Sequence, residues 1–165
     1  MNFHTKAVLN YIHEEAKYYQ YLLGVIIYST GEDSKYPENF KNDLGELQKL
    51  LENRLDENLE RIFRLLGLRY VPDEILSLYK SLQSGKKDLR NNALEYLENI
   101  LETPLKKILI PIIESSMLEN ISEEWVERRV LDVPNLKDCL IKLNESRDVE
   151  IAALSQKTLK AFPKK

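Results

Sequence analysis

Residues 72–113 read PDEILSLYKSLQSGKKDLRNNALEYLENILETPLKKILIPII. The fold is decided here, because the stretch divides into three amphipathic helical segments separated by turn chemistry. Pro72 suits a first helical position, where the amide hydrogen that proline lacks would have had no intrahelical acceptor. Asp73 and Glu74 then face the positive end of the helix dipole. Ile75, Leu78, Tyr79 and Leu82 recur at three- and four-residue spacing and form one apolar stripe. Gly85 is placed to end that helix in a left-handed conformation. Asp88 is expected to cap the next helix, with Leu89, Ala93, Tyr96 or Leu97, and Ile100 as its buried stripe. Thr103-Pro104 repeats the cap-then-proline device, and Pro111 is expected to kink or divide the apolar run Ile108–Ile113.

A second passage echoes the first. Asp88-Leu89-Arg90-Asn91-Asn92-Ala93-Leu94 is matched by Asp148-Val149-Glu150-Ile151-Ala152-Ala153-Leu154, and each copy follows a short amphipathic helix and a polar turn. A small alanine at that point lets a second helix approach the first closely, as stacked helical hairpins require. The competing explanation is that Asp-x4-Ala-Leu is simply a common way to begin a helix.

Asp88-Leu89-Arg90-x-x-Ala93-Leu94-x-x-Leu97 resembles the second helix of a HEAT repeat. Four segments, Arg61–Tyr70, Pro72–Ile75, Asn92–Asn99 and Leu109–Glu114, are similar to the HEAT-like region that follows the transmembrane part of some bacterial nucleotide transporters of the ATP/ADP translocase class. The resemblance covers about Leu44 to Glu114, and a looser version of the same grammar runs from Leu136 to Phe162. It implies a soluble helical-repeat appendage rather than transport itself. Glu150 stands where the first copy has Arg90.

The flanking sequence extends the helical pattern. Phe3 to Tyr28 reads as one long helix with Val8, Leu9, Ile12, Ala16, Tyr19, Leu22, Leu23 and Ile26 on one broad stripe. Ser29-Thr30-Gly31-Glu32-Asp33-Ser34 reads as a loop. Pro37 opens a second long helix, with Leu44, Leu47, Leu51, Leu55, Leu59, Ile62, Phe63 and Leu66 in near-helical register; Gly45 and Gly67 interrupt it. Further on, Glu119-Asn120-Ile121 reads as a turn and Ser122 as a cap for Glu123-Glu124-Trp125-Val126. Pro134 is expected to start the next helix, Asn144 to Arg147 to turn, and a last helix to run to about Phe162. With no strand-like alternation, the chain reads as all-α. The expected architecture is a long antiparallel helical hairpin followed by HEAT-like hairpins stacked as a short right-handed α-solenoid. Within one domain, residues 1–70 would be the long hairpin, 71–133 the central HEAT-like unit, 134–162 the C-terminal hairpin and 163–165 a frayed lysine tail.

Composition sets the class. The 165 residues are 43% hydrophobic and 31% charged, ordinary values for one folded domain. A formal net charge of −3, with both signs interspersed, gives no general attraction to nucleic acid or anionic lipid. The single cysteine, Cys139, has no internal disulfide partner and is expected to pack as a small apolar residue, consistent with a reducing, cytoplasmic setting. Residues 1–6 do not resemble an export signal, and the longest apolar stretch, Leu22–Tyr28, is far short of the ~20 residues that span a bilayer. A fused membrane domain could still tether the chain to an inner membrane.

The residues that could carry chemistry are few. His4 and His13 lie on one helix, roughly 13 Å apart along its axis and facing different directions, whereas zinc needs three or four converging ligands. Asp56-Glu57, Asp73-Glu74 and Glu123-Glu124 read as solvated faces or helix-start charges rather than acid–base pairs. The five glycines are scattered singly, so there is no phosphate loop. Asn92 and Asn99 share one helix face and are expected to bridge backbone groups of adjacent helices. Tyr11, Tyr18, Tyr19, Tyr21 and Tyr28 crowd the first helix on more than one stripe. Some of them either pack under neighbouring helices or form a docking surface.

The favoured reading is therefore a non-catalytic interaction or regulatory module, with no cofactor and no metal. Its surface would be built from Arg90, Asn91, Glu95 and Glu98 with Glu150, together with Tyr11, Tyr18 and Tyr21. A protein partner or an adjoining membrane domain would dock there. Nucleic-acid binding is the first alternative, and the replacement of Arg90 by Glu150 in the second copy argues against the basic stripe it needs. An enzyme with an unrecognised site is the second.

Overall fold

The computed structural model describes residues 3–30, 36–117 and 133–163. Among these residues the protein has seven α-helices and no strand: α1 (Phe3–Thr30), α2 (Glu38–Arg69), α3 (Pro72–Gln83), α4 (Lys87–Ile100), α5 (Thr103–Ser116), α6 (Leu136–Asn144) and α7 (Val149–Lys160). No helix among the described residues is long and apolar enough to cross a membrane. The turn expected at Glu119–Ile121, the cap at Ser122 and the lysine tail lie outside the described residues, as does most of the loop expected after Ser29.

Helix α2 runs unbroken for 32 residues, about 48 Å, through both Gly45 and Gly67. Its stripe of Phe40, Leu44, Leu47, Leu51, Leu59, Ile62, Phe63 and Leu66 is buried along its length, which outweighs the helix cost of two glycines, about 1 kcal/mol each. Pro111 neither ends nor divides α5, which is continuous from Thr103 to Ser116. The carbonyl that its missing N–H would have bonded belongs to Lys107, on the exposed side, where water can take that bond.

Several starts differ from the sequence reading. Asp88 is not the cap of α4: the cap position is Lys86, with no side-chain cap bond, and Asp88 sits in the first turn as a dipole-facing acid. Glu102, not Thr103, is the cap position of α5, and α6 starts at Leu136 rather than Pro134, with Asn135 as its cap, accepting from the Asp138 amide at 2.9 Å. Asp148 does cap α7, accepting from the amides of Glu150 at 3.1 Å and Ile151 at 3.2 Å. The two Asp-x4-Ala-Leu passages are thus out of register by two residues. Aligned by their caps, Ala93 corresponds to Ser155, and both are buried, whereas Ala153 is exposed. Gly85 follows α3 with φ 75°, as a left-handed terminator.

The core divides into two clusters along α1 and α2. Ile12, Ala16, Tyr19 and Leu23 of α1 meet Leu59, Ile62, Phe63 and Leu66 of α2, and α3, α4 and α5 close this first cluster with Ile75, Leu82, Ala93, Leu97, Leu105 and Leu109. Leu22, Val25 and Ile26 of α1 meet Phe40, Leu44, Leu47 and Leu51 of α2, and α6 and α7 close the second with Cys139, Leu140, Leu143 and Ile151. Helices α6 and α7 pack on each other and on α1 and α2 respectively, while α5 packs on α1 and α4. Because α4 packs on α3 and α5, its buried stripe narrows to Ala93 and Leu97. Leu89, expected inside, is exposed; of the alternatives Tyr96 and Leu97 it is Leu97 that is buried, while Tyr96 is exposed and its hydroxyl donates to Glu74 Oε2 at 3.3 Å.

Candidate functional site

Among the described residues two concave regions stand out, one at the middle of the α1/α2 pair and one at the end of α2. The first is a polar cleft of about 400 Å³ where the α6–α7 turn meets the middle of α1 and α2. Its lower wall is built around Glu15, a carboxylate left only 7% exposed by the helices over it. Glu15 accepts from Arg147 Nη2 at 2.6 Å and from Arg61 Nη1 at 3.4 Å, so a residue of the α6–α7 turn and one of α2 converge on α1. Asn58 on α2, also buried, donates its Nδ2 to the Glu15 carbonyl at 3.2 Å. That bond fixes the amide orientation, since only the NH₂ side can donate to a carbonyl, and Asn58 Oδ1 is buried with no partner among the described residues.

The other wall is the start of α7. Arg54 Nε donates to Asp148 Oδ2 at 2.8 Å, and its Nη2 reaches Glu150 Oε1 at 3.5 Å. Burial pushes the Asp148 carboxyl up, but the Arg54 guanidinium and the Ile151 and Glu150 amides outweigh it and hold the group below its ordinary value. The same bond to Asp148 raises Arg54 further. The Tyr18 hydroxyl pairs with Ser146 Oγ at 2.5 Å, and Ser146 Oγ in turn accepts from the Asp148 amide at 3.1 Å. Burial raises the Tyr18 phenol above its ordinary value, against the Ser146 hydrogen bond.

The second region is an apolar groove of about 510 Å³ between the last turns of α2 and the first of α3. Its floor is Phe63, Ile75 and Pro72, with the Tyr79 ring 5.2 Å from that of Phe63. Leu68, 71% exposed, and Leu76, 52% exposed, stand at its edges. Gly67 lies along it with only Pro72 nearby. The rim is charged: Arg64 is held by Glu60 at 2.6 Å, and Lys80 is exposed. Across the α2–α3 corner, Arg69 pairs with Glu102 through Nε at 2.7 Å, and the Tyr70 hydroxyl accepts from the Glu102 amide at 3.1 Å. This clasp holds the corner that shapes the groove to the start of α5.

The interaction surface read from the sequence is not gathered into either region. Asn91, Glu95 and Glu98 are exposed on α4; Arg90, on the same helix, is half-buried, and its Nε is buried without a partner among the described residues. Glu150 belongs to α7, where it meets Arg54 rather than any residue of α4. Asn92 and Asn99 are exposed and bridge no neighbouring helix among the described residues. The tyrosines separate by role. Tyr11 is 58% exposed, Tyr18 lines the polar cleft, Tyr21 packs beside the second cluster, and Tyr19 is buried beside Ser115 of α5. Burial pushes the Cys139 thiol up to about 12, and no group of three His, Cys, Asp or Glu among the described residues is arranged to hold a metal ion.

Sequence reasoning missed Glu15, Asn58, Arg61 and Arg147 altogether. The one available signal was Asn58 itself, an amide sitting beside Leu59 and Leu55 on the apolar side of α2, where a leucine would have continued the stripe. No protein-family model, curated protein or solved structure matches the chain.

Proposed function

We propose that the protein is a non-catalytic interaction module of helical-repeat type, and that the groove between α2 and α3 is where a partner protein docks. The observation that carries this reading is the pair Leu68 and Leu76, two leucines exposed on either side of an open apolar groove. An isolated exposed leucine needs no explanation, but two flanking a groove floored by Phe63, Ile75 and Tyr79 make a patch suited to burying apolar side chains. Lys80 at the rim, where Arg64 is already paired with Glu60, favours a partner helix that carries apolar residues at i, i+3, i+4 and i+7 with an acidic residue beside them.

In this reading α1 and α2 form a long antiparallel hairpin, supported by the early α1 residues clustering with late α2 residues and the late α1 residues with early α2 residues. The short helices α3 to α5 and α6 to α7 are HEAT-like units, each stacked on the hairpin, so the hairpin rather than direct unit-to-unit contact links them. A soluble appendage of a membrane transporter is one setting in which such a module would work.

The test is selection of helical peptides from a displayed library against the whole chain, followed by NMR mapping. Enriched peptides are expected to share the i, i+3, i+4, i+7 apolar pattern with acidic flanks, to shift the Leu68, Leu76 and Tyr79 resonances, and to lose binding to the Leu68→Asp/Leu76→Asp variant. Peptides that map to α4 or to the polar cleft, or an unchanged affinity for the variant, would overturn the assignment.

A further inference from the structure

The groove between α2 and α3 carries an inference about what fills it. We propose that its occupant is a second copy of this chain, related by a two-fold axis that crosses α3 between Leu76 and Ser77, so that α3 of each copy lies antiparallel along the groove of the other. This rests on the groove being a docking site and goes further by naming the partner.

The first support is the outward face of α3. Ile75 and Leu82 are buried in the core, while Asp73, Leu76, Ser77 and Lys80, at i, i+3, i+4 and i+7, form one exposed stripe on the same helix. Along the helix the stripe runs acid, leucine, serine, base. A two-fold axis at its centre sets Asp73 against Lys80 of the second copy and Leu76 against Ser77 of the second copy, and repeats both pairs in reverse. Asp56 and Glu60 of α2 lie near the Tyr79 phenol, and Glu60 is taken by Arg64 at 2.6 Å. Neither Asp73 nor Lys80 forms an ion pair among the described residues, so both are available to the second copy. A parallel arrangement would set Asp73 against Asp73 and Lys80 against Lys80, so the charges select the antiparallel one.

The second support is the apolar surface around that stripe. Leu68, Val71 and Leu76, each more than half exposed, fall within nine residues of chain at the corner of α2 and α3. A different protein would cover these side chains on one molecule. A two-fold contact covers them on both molecules at once and closes, so association stops at two. Leu76 is an edge of the groove as well as the centre of the stripe, so one contact uses both. Ser77 is small enough for a leucine to pass over it. On the α2 side, Gly67 has no side chain, and only Pro72 lies within 4 Å of where a Cβ would stand. Leu76 of each copy thus has a hollow to enter beyond Ser77 of the other.

The experiment is analytical ultracentrifugation of the whole chain over a wide concentration range. A reversible monomer–dimer equilibrium is expected, with Leu76→Asp weakening it about tenfold or more. Asp73→Lys and Lys80→Asp each turn both symmetry-related pairs into like-charge contacts, and each is expected to weaken self-association about tenfold. Mixing these two variants is expected to give a heterodimer about tenfold tighter than either forms alone, and the D73K/K80D chain is expected to recover the homodimer, because both restore opposite charges at both pairs. Recovery also shows that the single variants are folded. A chain that stays monomeric up to about 1 mM overturns the proposal, as does a dimer indifferent to Leu76→Asp or one that mixing fails to restore. If a monomeric chain still selects helical peptides that shift Leu68 and Leu76, the groove remains a docking site for another protein and only this inference falls. If the chain dimerises through another face and no selected peptide maps to the groove, both readings fall.

Discussion

The two ends of the α1/α2 pair are built by different means. At the end closed by α3, α4 and α5, none of the three short helices has a side-chain cap bond; α3 and α5 instead carry proline in their first turn, and all three lean on a shared apolar core. At the end closed by α6 and α7, Asn135 and Asp148 cap both helices, and Asp148 is also held by Arg54. Helix α6 has only nine residues, too few to be stable in isolation. Its position depends on close approach to α1: a methyl group added at Gly24 would collide with Cys139 Sγ and crowd Val133. Where a helix can share a large core, local start signals are dispensable. Where it is short and reached late in the chain, caps, an ion pair and one missing side chain do the positioning.

The largest expected effect tests whether the ends are one cooperative unit. Ile62→Ala in the first cluster and Leu140→Ala in the second should each cost about 2–5 kcal/mol, because both side chains are fully buried. Denaturant unfolding followed by hydrogen exchange distinguishes the cases. Protection lost only in α6 and α7 for Leu140→Ala would sharpen the contrast, and uniform loss from both variants would break it.

Next in size is Gly24→Ala, expected to cost about 1–3 kcal/mol through overpacking against α6. Adding Cys139→Ala should recover much of that loss, and a double-mutant cycle measures how much. In the wild-type protein the buried Cys139 thiol, pushed up to about 12, should alkylate slowly at neutral pH. In Gly24→Ala the rate should rise as the α1–α6 contact opens. Equal rates would show that the contact at Gly24 does not control the docking of α6.

Asp148→Ala should cost about 0.5–2 kcal/mol by removing the α7 cap, with the loss of exchange protection concentrated in α7. The Asp148 carboxyl is held below its ordinary value of 3.8, so its contribution is complete above that pH and disappears as the pH falls through the lower folded value. Acid titration by NMR should therefore loosen α7 below about pH 3.8, and Asp148→Asn should remove that step. Among the described groups whose carboxyl is shifted, none caps α3, α4 or α5, so a simultaneous acid step at both ends would remove this distinction.

The smallest effect belongs to the other end. Gly85→Ala places a Cβ on a residue with φ 75° and should cost about 1 kcal/mol, although nothing lies within 4 Å of the added atom. Thermal unfolding measures it. A neutral result would mean that the α3–α4 turn relaxes out of the left-handed region without disturbing the groove.

Much of the helical layout was legible in the chain. The stripe Leu44 to Leu66 marked the buried side of α2, Pro72 marked the start of α3, and Gly85 its end, because each depends on the geometry of a single helix. Asp88 was misread because Asp-Leu after two lysines looks like a cap, and the cap register is set by where the preceding turn lets the chain enter the helix. Leu89 was misread, and the choice between Tyr96 and Leu97 stayed open, because periodicity identifies a candidate apolar face but not the width of the neighbours that cover it. Of the candidate site, Tyr18 and Glu150 were singled out, but for an open docking face. Their bonds to Ser146 and Arg54 depend on the packing of segments distant in sequence.

Read alone, the sequence determines the all-helical class, the approximate helix spans and the apolar stripe of each long helix, because 3.6-residue periodicity, proline and glycine act within a few residues of themselves. Only the tertiary structure decides that α6 and α7 return to the pair α1 and α2, that Gly24 admits Cys139, and that Glu15, Asn58, Arg61 and Arg147 line or underlie one cleft. Those outcomes rest on shape and charge matching between surfaces far apart in the chain, and no local pattern encodes which surface a helix will meet.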